Sequence, residues 1–192
     1  QEKTPKGVTA YKITLKGLRG GHSGVDIHLG RGNANKLMFR FFQQAEHDFG
    51  MRIAEYSGGD LRNAIPREAF GTITVPSIKK EQFSKFVKGY QKIYRNEFKD
   101  ADPDITFGLT DGDAPVTLMN EGDQYRIIRG VYVCPHGVQR MSNSMPGLVE
   151  TSNNLAIVRI RDGKFEAYCL TRSSVDTAKE ATAWKIAAGF HL

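Results

Sequence analysis

Polar and apolar positions alternate cleanly from Val8 to Lys16, with Tyr11, Ile13 and Leu15 on one side and Lys12, Thr14 and Lys16 on the other. A period of two marks a strand with one buried face. From Asn33 the period lengthens. Leu37, Met38, Phe41, Phe42 and Ala45 form an apolar stripe at helical spacing, with Asn33 as cap and Gly50 as stop, which predicts a helix to about Phe49. Met51 to Tyr56 and Ala69 to Val75 read as strands, joined by a polar turn that contains Asn63 and Pro66. Pro76-Ser77 opens a second helix, about Ile78 to Lys99, along which Phe83, Phe86, Val87, Tyr90, Ile93 and Tyr94 recur. Ile105 to Leu109 supplies a fourth strand. The order β-α-β-β-α-β predicts an α+β fold over residues 1–115: an antiparallel sheet with both helices on one face, the ferredoxin-like split βαβ arrangement.

Residues 116–192 predict a second, partial βαβ-like half. Leu118 to Val133 reads as a helix interrupted by Gly122 and Gly130, and Pro135 to Gly147 as a polar loop. Leu155 to Arg161 and Phe165 to Thr171 form a hairpin about Asp162-Gly163. A final helix runs from about Val175 to Ala188, with Ser173 or Ser174 as cap and Gly189 at its end. Strand, Arg172-Ser173, helix echoes strand, Pro76-Ser77, helix in the first half. If that repeat is real, one more strand belongs after residue 192, and the absence of a starting Met agrees with a segment of something longer.

Composition narrows the function. The chain has 192 residues, 40% hydrophobic and 25% charged, enough apolar material for a core without staples. No stretch reaches the roughly 20 apolar residues of a membrane span. The net charge of +6 invites nucleic acid as a partner, but the basic residues are scattered among 21 acids and no nucleic-acid-binding motif is present. Cys134 and Cys169 are far apart without C-x-x-C spacing, which fits reduced thiols in a cytoplasm.

The stretch Gly17-Leu18-Arg19-Gly20-Gly21-His22-Ser23-Gly24-Val25-Asp26-Ile27-His28 holds two histidines and an aspartate in a glycine-rich loop. A zinc site needs three or four ligands, and neither Asp26 with His28 nor Cys134 with His136 finds the rest at a known spacing. The phosphate-loop patterns G-x-x-x-x-G-K-[ST] and G-x-G-x-x-G are also missing. Ser23 next to His22 is no nucleophile pair, because adjacent residues on an extended backbone point apart. Two readings of His22 stay open. It is a capping or core histidine, or an imidazole that flanking glycines bring close to another surface, where it could donate to a carbonyl oxygen gaining charge.

Several stretches together resemble the M20 metallopeptidases, and within them the aminoacyl-histidine dipeptidase branch. They are Lys16 to Gly24 followed by Gly32 to Leu37, Arg62 to Ala69, Gly137 to Ser142 with Gly147 to Ser152, and Arg172 to Asp176. The resemblance implies a lid domain inserted in a catalytic domain that binds two zinc ions outside this chain. It implies a dipeptide substrate (Xaa-His included), the chain's own catalytic domain as partner, and a homodimer. The lid by itself would then be inactive.

By the same resemblance His22 is the lid histidine that stabilises the tetrahedral intermediate. Asn63 is the lid asparagine that hydrogen-bonds substrate, and Arg172 anchors the substrate's carboxylate. Relatives with shorter lids carry that arginine before a Pro at a strand end, whereas the first half here reads Thr72-Ile73-Thr74-Val75-Pro76 and only the second half supplies Arg172. Without the resemblance, Asn63 is a turn residue, Arg172 a surface ion-pair partner, and the chain a non-catalytic protein–protein interaction domain.

Overall fold

A computed structural model describes residues 1–191. In chain order the elements are β1 (Glu2–Lys3), β2 (Val8–Lys16), β3 (Gly21–His22), α1 (Ala34–Phe49), β4 (Arg52–Gly58), β5 (Ala64–Ile65) and β6 (Ala69–Pro76). A 3-10 turn at Ser77–Lys79 leads into α2 (Lys80–Glu97), β7 (Thr106–Asp111), β8 (Thr117–Leu118), α3 (Glu121–Val133) and β9 (Gly137–Met141). The chain continues with β10 (Val149–Arg161), β11 (Lys164–Ser173) and α4 (Asp176–Phe190). The fold is α+β, as the pattern predicts.

Seven strands form one antiparallel sheet in the order β11-β10-β4-β6-β2-β7, with β9 flanking the first part of β10. The split βαβ half supplies β4-β6-β2-β7. The hairpin of the second half joins at β4 through three pairs, Val158 with Gly58, Arg159 with Ser57 and Ile160 with Tyr56. The hairpin turns on Asp162 and Gly163, both at positive φ (52° and 75°), the geometry that Asp-Gly favours. On the helix-free face of the sheet, Lys12, Thr14, Glu55, Thr72, Arg159 and Glu166 line a shallow polar trough.

The core is aromatic where α1 and α2 cover the first half. The Phe41 ring packs against Phe42, Phe83, Phe86, Tyr90 and Phe107, with centroids 4.9–6.1 Å apart. Both ends of α1 match the sequence reading: Asn33 Oδ1 accepts from Lys36 N at 3.1 Å, and Gly50 ends the helix in the left-handed region.

The second half departs from its pattern in several places, and β10 begins at Val149 instead of Leu155. Thr117–Leu118 is a short strand paired with β1, so α3 starts later, capped by Asn120. Gly130 belongs inside α3 because a Cβ there would lie 2.7 Å from the Phe190 ring and 2.9 Å from Gly189 O, where α4 crosses. Part of the expected polar loop is strand β9. Neither Ser173 nor Ser174 caps α4; Val175 holds the cap position, and Ser173 Oγ accepts from its N–H at 3.0 Å. Strand β10 also carries a bulge. Leu155 opposes Cys169 and Ile157 opposes Tyr168, which leaves Ala156 as the extra residue and moves the core-facing positions from Leu155 to Val158 and Ile160.

Candidate functional site

The glycine-rich loop is held against the turn between β4 and β6. Gly21 pairs with Ile65 and His22 with Ala64 in a two-residue ladder, and Ser23 N donates to Asn63 O at 2.8 Å. Gly20 and Gly21 take φ of 64° and 140°. A Cβ at Gly20 would lie 2.3 Å from Arg67 Cγ, and one at Gly21 would lie 2.6 Å from Arg31 Nη1 and Asp26 Oδ2. Only glycine satisfies both constraints.

Asp26 is a structural partner in this loop. Its Oδ2 accepts from the His22 backbone N–H at 2.8 Å, and Arg31 lies 3.7 Å from the same oxygen. Arg31 in turn donates to Gly20 O at 2.6 Å. His28 is exposed at the tip. Among the described residues no three His, Cys, Asp or Glu side chains cluster as a metal site would require, so these residues do not fit a zinc ion.

The backbone fixes the His22 ring. Its Nδ1 accepts from Gly24 N and Val25 N, each at 3.2 Å, which places the ring proton on Nε2. The ring is exposed, and no hydrogen-bond partner of Nε2 is found among the described residues. Arg172, near the end of β11, reaches the same loop: a Cβ built on Gly24 would lie 3.1 Å from His22 Cε1 and 3.4 Å from Arg172 Cζ. Arg172 is exposed and, among the described residues, has no carboxylate within 4.0 Å. The ion-pair reading of this residue therefore finds no partner there. The Asn63 side chain is exposed as well, on the turn bonded to Ser23. The His22 ring and the Arg172 guanidinium thus meet beside Gly24, and the Asn63 backbone lies against Ser23 of the same loop.

Asn154 holds this arrangement and has no counterpart in the sequence reading. It is fully buried on β10, and its Nδ2 donates to Ala64 O at 2.7 Å and Arg62 O at 3.3 Å, the carbonyls on either side of Asn63. Its Oδ1 is buried without a protein partner, as is Ser23 Oγ. Asn153 faces the other way: it donates to Pro135 O at 2.6 Å and accepts from Thr171 Oγ1 at 2.9 Å. The only sequence signal was an Asn-Asn pair directly before the apolar run from Leu155 to Val158, a residue type disfavoured in strands.

A second polar cluster lies beneath α1. Lys36 Nζ donates to Val131 O and Cys134 O at 3.1 and 2.7 Å and to Tyr132 O, closing the C-terminal end of α3. Burial lowers its pKa, partly opposed by the nearby thiols. Asn33 Nδ2 donates to Leu155 O at 3.0 Å and faces His136 Nδ1 at 3.1 Å. Burial, and then the Lys36 charge, hold the His136 imidazole down to about 4.

Residues 13–102 match the peptidase dimerisation domain family, M20_dimer. The chain carries an M20 dimerisation domain. Over 182 residues it is 40% identical to the cytosol non-specific dipeptidase of Escherichia coli (strain K12), covering 94% of this chain and 37% of that protein. Aminoacylhistidine dipeptidase from Vibrio alginolyticus superposes on the whole chain with a TM-score of 0.96 at 36% identity, over 39% of its own length. The chain thus spans under two-fifths of the length of each relative. Its similarity continues well past residue 102, through the β10–β11 hairpin that carries Asn154 and Arg172.

Proposed function

We propose that this chain is the lid and dimerisation segment of a cytoplasmic, zinc-dependent dipeptidase that acts on dipeptides including Xaa-His. In this reading it works as a homodimer and closes over the active site of its own catalytic domain. The relatives' names support the activity. The placement of His22 and Arg172 together beside Gly24 supports the roles of the lid and is the observation that carries them. In this reading the zinc ions are held by the catalytic domain outside this chain; the described residues gather no set of metal ligands, and no step is routed through the metal.

In this reading His22 donates from Nε2 to the carbonyl oxygen of the bond being cleaved. That hydrogen bond strengthens as charge builds on the oxygen, so it lowers the barrier more than it aids binding. The Arg172 guanidinium holds the terminal carboxylate through two parallel N–H bonds. The Asn63 amide fixes the peptide between them. Replacing the intact enzyme's His22 by Ala then lowers kcat about 10²–10³-fold with little change in KM. Replacing Arg172 by Met raises KM roughly tenfold or more. Wild-type kcat in the His22 variant would remove the oxyanion role.

A further inference from the structure

Cys134 and Cys169 stand 35 residues apart in sequence, yet their sulfurs lie 3.6 Å apart as free thiols. A disulfide has an S–S length of about 2.05 Å, so the two sulfurs must close by roughly 1.5 Å to bond. Cys134 is the residue after α3, already out of helical conformation at φ −53° and ψ 125°. Cys169 is half-buried on β11, the last strand of the sheet, opposite Leu155 where the bulge interrupts the ladder.

We propose that Cys134 and Cys169 are an oxidation site, forming a reversible disulfide with a peroxide as oxidant and tying the end of α3 to β11. The surroundings assign the two roles. Cys169 is half-buried on the edge strand and so is the sulfur a peroxide reaches first, with the Lys36 ammonium nearby to favour its thiolate. Cys134, buried at the end of α3, is the resolving thiol. The Cys169 thiolate attacks one peroxide oxygen; an S–O bond forms, the O–O bond breaks and hydroxide leaves, giving a sulfenic acid. The Cys134 sulfur then attacks the Cys169 sulfur. The S–S bond forms, the S–O bond breaks, and the departing hydroxide takes the Cys134 proton as water. Two thiols lose two electrons and one hydrogen peroxide becomes two waters.

The test needs no enzymatic activity, so it stands apart from the proposed dipeptidase role. The intact protein is exposed to hydrogen peroxide at neutral pH, its remaining thiols are alkylated, and it is digested without reductant and mapped by mass spectrometry. The expected product is one linked pair of peptides, two hydrogens lighter than the separate ones and resolved by dithiothreitol. Cys134→Ser should abolish the link and leave Cys169 as a sulfenic acid that dimedone traps. Recovery of both wild-type cysteines as alkylated thiols would overturn the proposal. So would Cys169 advancing to sulfinic acid without a link. The wild-type map alone decides between these results, whatever the stability of the variant.

Discussion

The layer under α1 and α2 and the junction around β10 are both buried, but they are built from opposite materials. The first is a stack of rings centred on Phe41, where any large apolar side chain of the right shape contributes. The second contains Thr151, Ser152, Asn153 and Asn154, each at most 3% exposed, on one strand. Apolar packing is non-directional and mainly supplies stability, whereas a buried amide must meet its partners at fixed distances. The aromatic layer therefore holds the fold, and the polar junction decides where the 62–64 turn and the end of β11 lie.

That contrast predicts an order of effects. Phe41→Ala should destabilise most, by about 3–5 kcal/mol in denaturant unfolding, since the neighbouring rings cannot all collapse into the space. Asn154→Ala should cost about 2 kcal/mol, because it leaves Arg62 O and Ala64 O without their donor. In the intact enzyme it should also impair catalysis, which Phe41→Leu should not. A larger loss of stability from Asn154→Ala than from Phe41→Ala would reverse the comparison.

Acid should act on the second region. The His136 imidazole lies at about 4 in the folded chain against an ordinary value of 6.5. Above 6.5 the ring is neutral folded or unfolded, and pH has no effect through it. Between 6.5 and 4 the unfolded chain binds a proton that the folded chain refuses, so stability falls as pH falls and levels off below 4. The loss is on the order of 2 kcal/mol for this partly exposed ring. Unfolding curves of His136→Gln should lack that component; an identical pH dependence would assign it elsewhere. The smallest effect belongs to Arg172→Ala. With no partner among the described residues, it should change stability by less than about 0.5 kcal/mol while still raising KM in the intact enzyme.

Legibility in the sequence divides along the same line. The first half could be read because its elements carry one period each: Tyr11, Ile13 and Leu15 in β2, then the Phe stripe of α1 between Asn33 and Gly50. In β10 eight consecutive residues from Thr151 to Val158 are buried, so no alternation marks its faces. Gly130 looked like a break in a helix because the Phe190 ring that requires it lies 60 positions away. β9 has only Val138 and Met141 as apolar residues and hid in a polar loop. At the site, the glycines around His22 were a local signal. The approach of Arg172 to Gly24 and the grip of Asn154 on the turn arise only when β10 and β11 join the sheet.

The extra residue in β10 has a consequence for how this chain can change length. Removing Ala156 would restore a regular ladder, with Leu155 and Val158 still facing the helices and Arg159 still facing the trough. Adding one residue between the bulge and the hairpin turn would invert the remainder of the strand, turning Ile160 outward and Arg161 inward. The strand thus carries a single spare position. Insertions beyond it would disrupt the seam with β4, and deletion at it would remove the carbonyl that accepts from Asn35 Nδ2 at 3.5 Å.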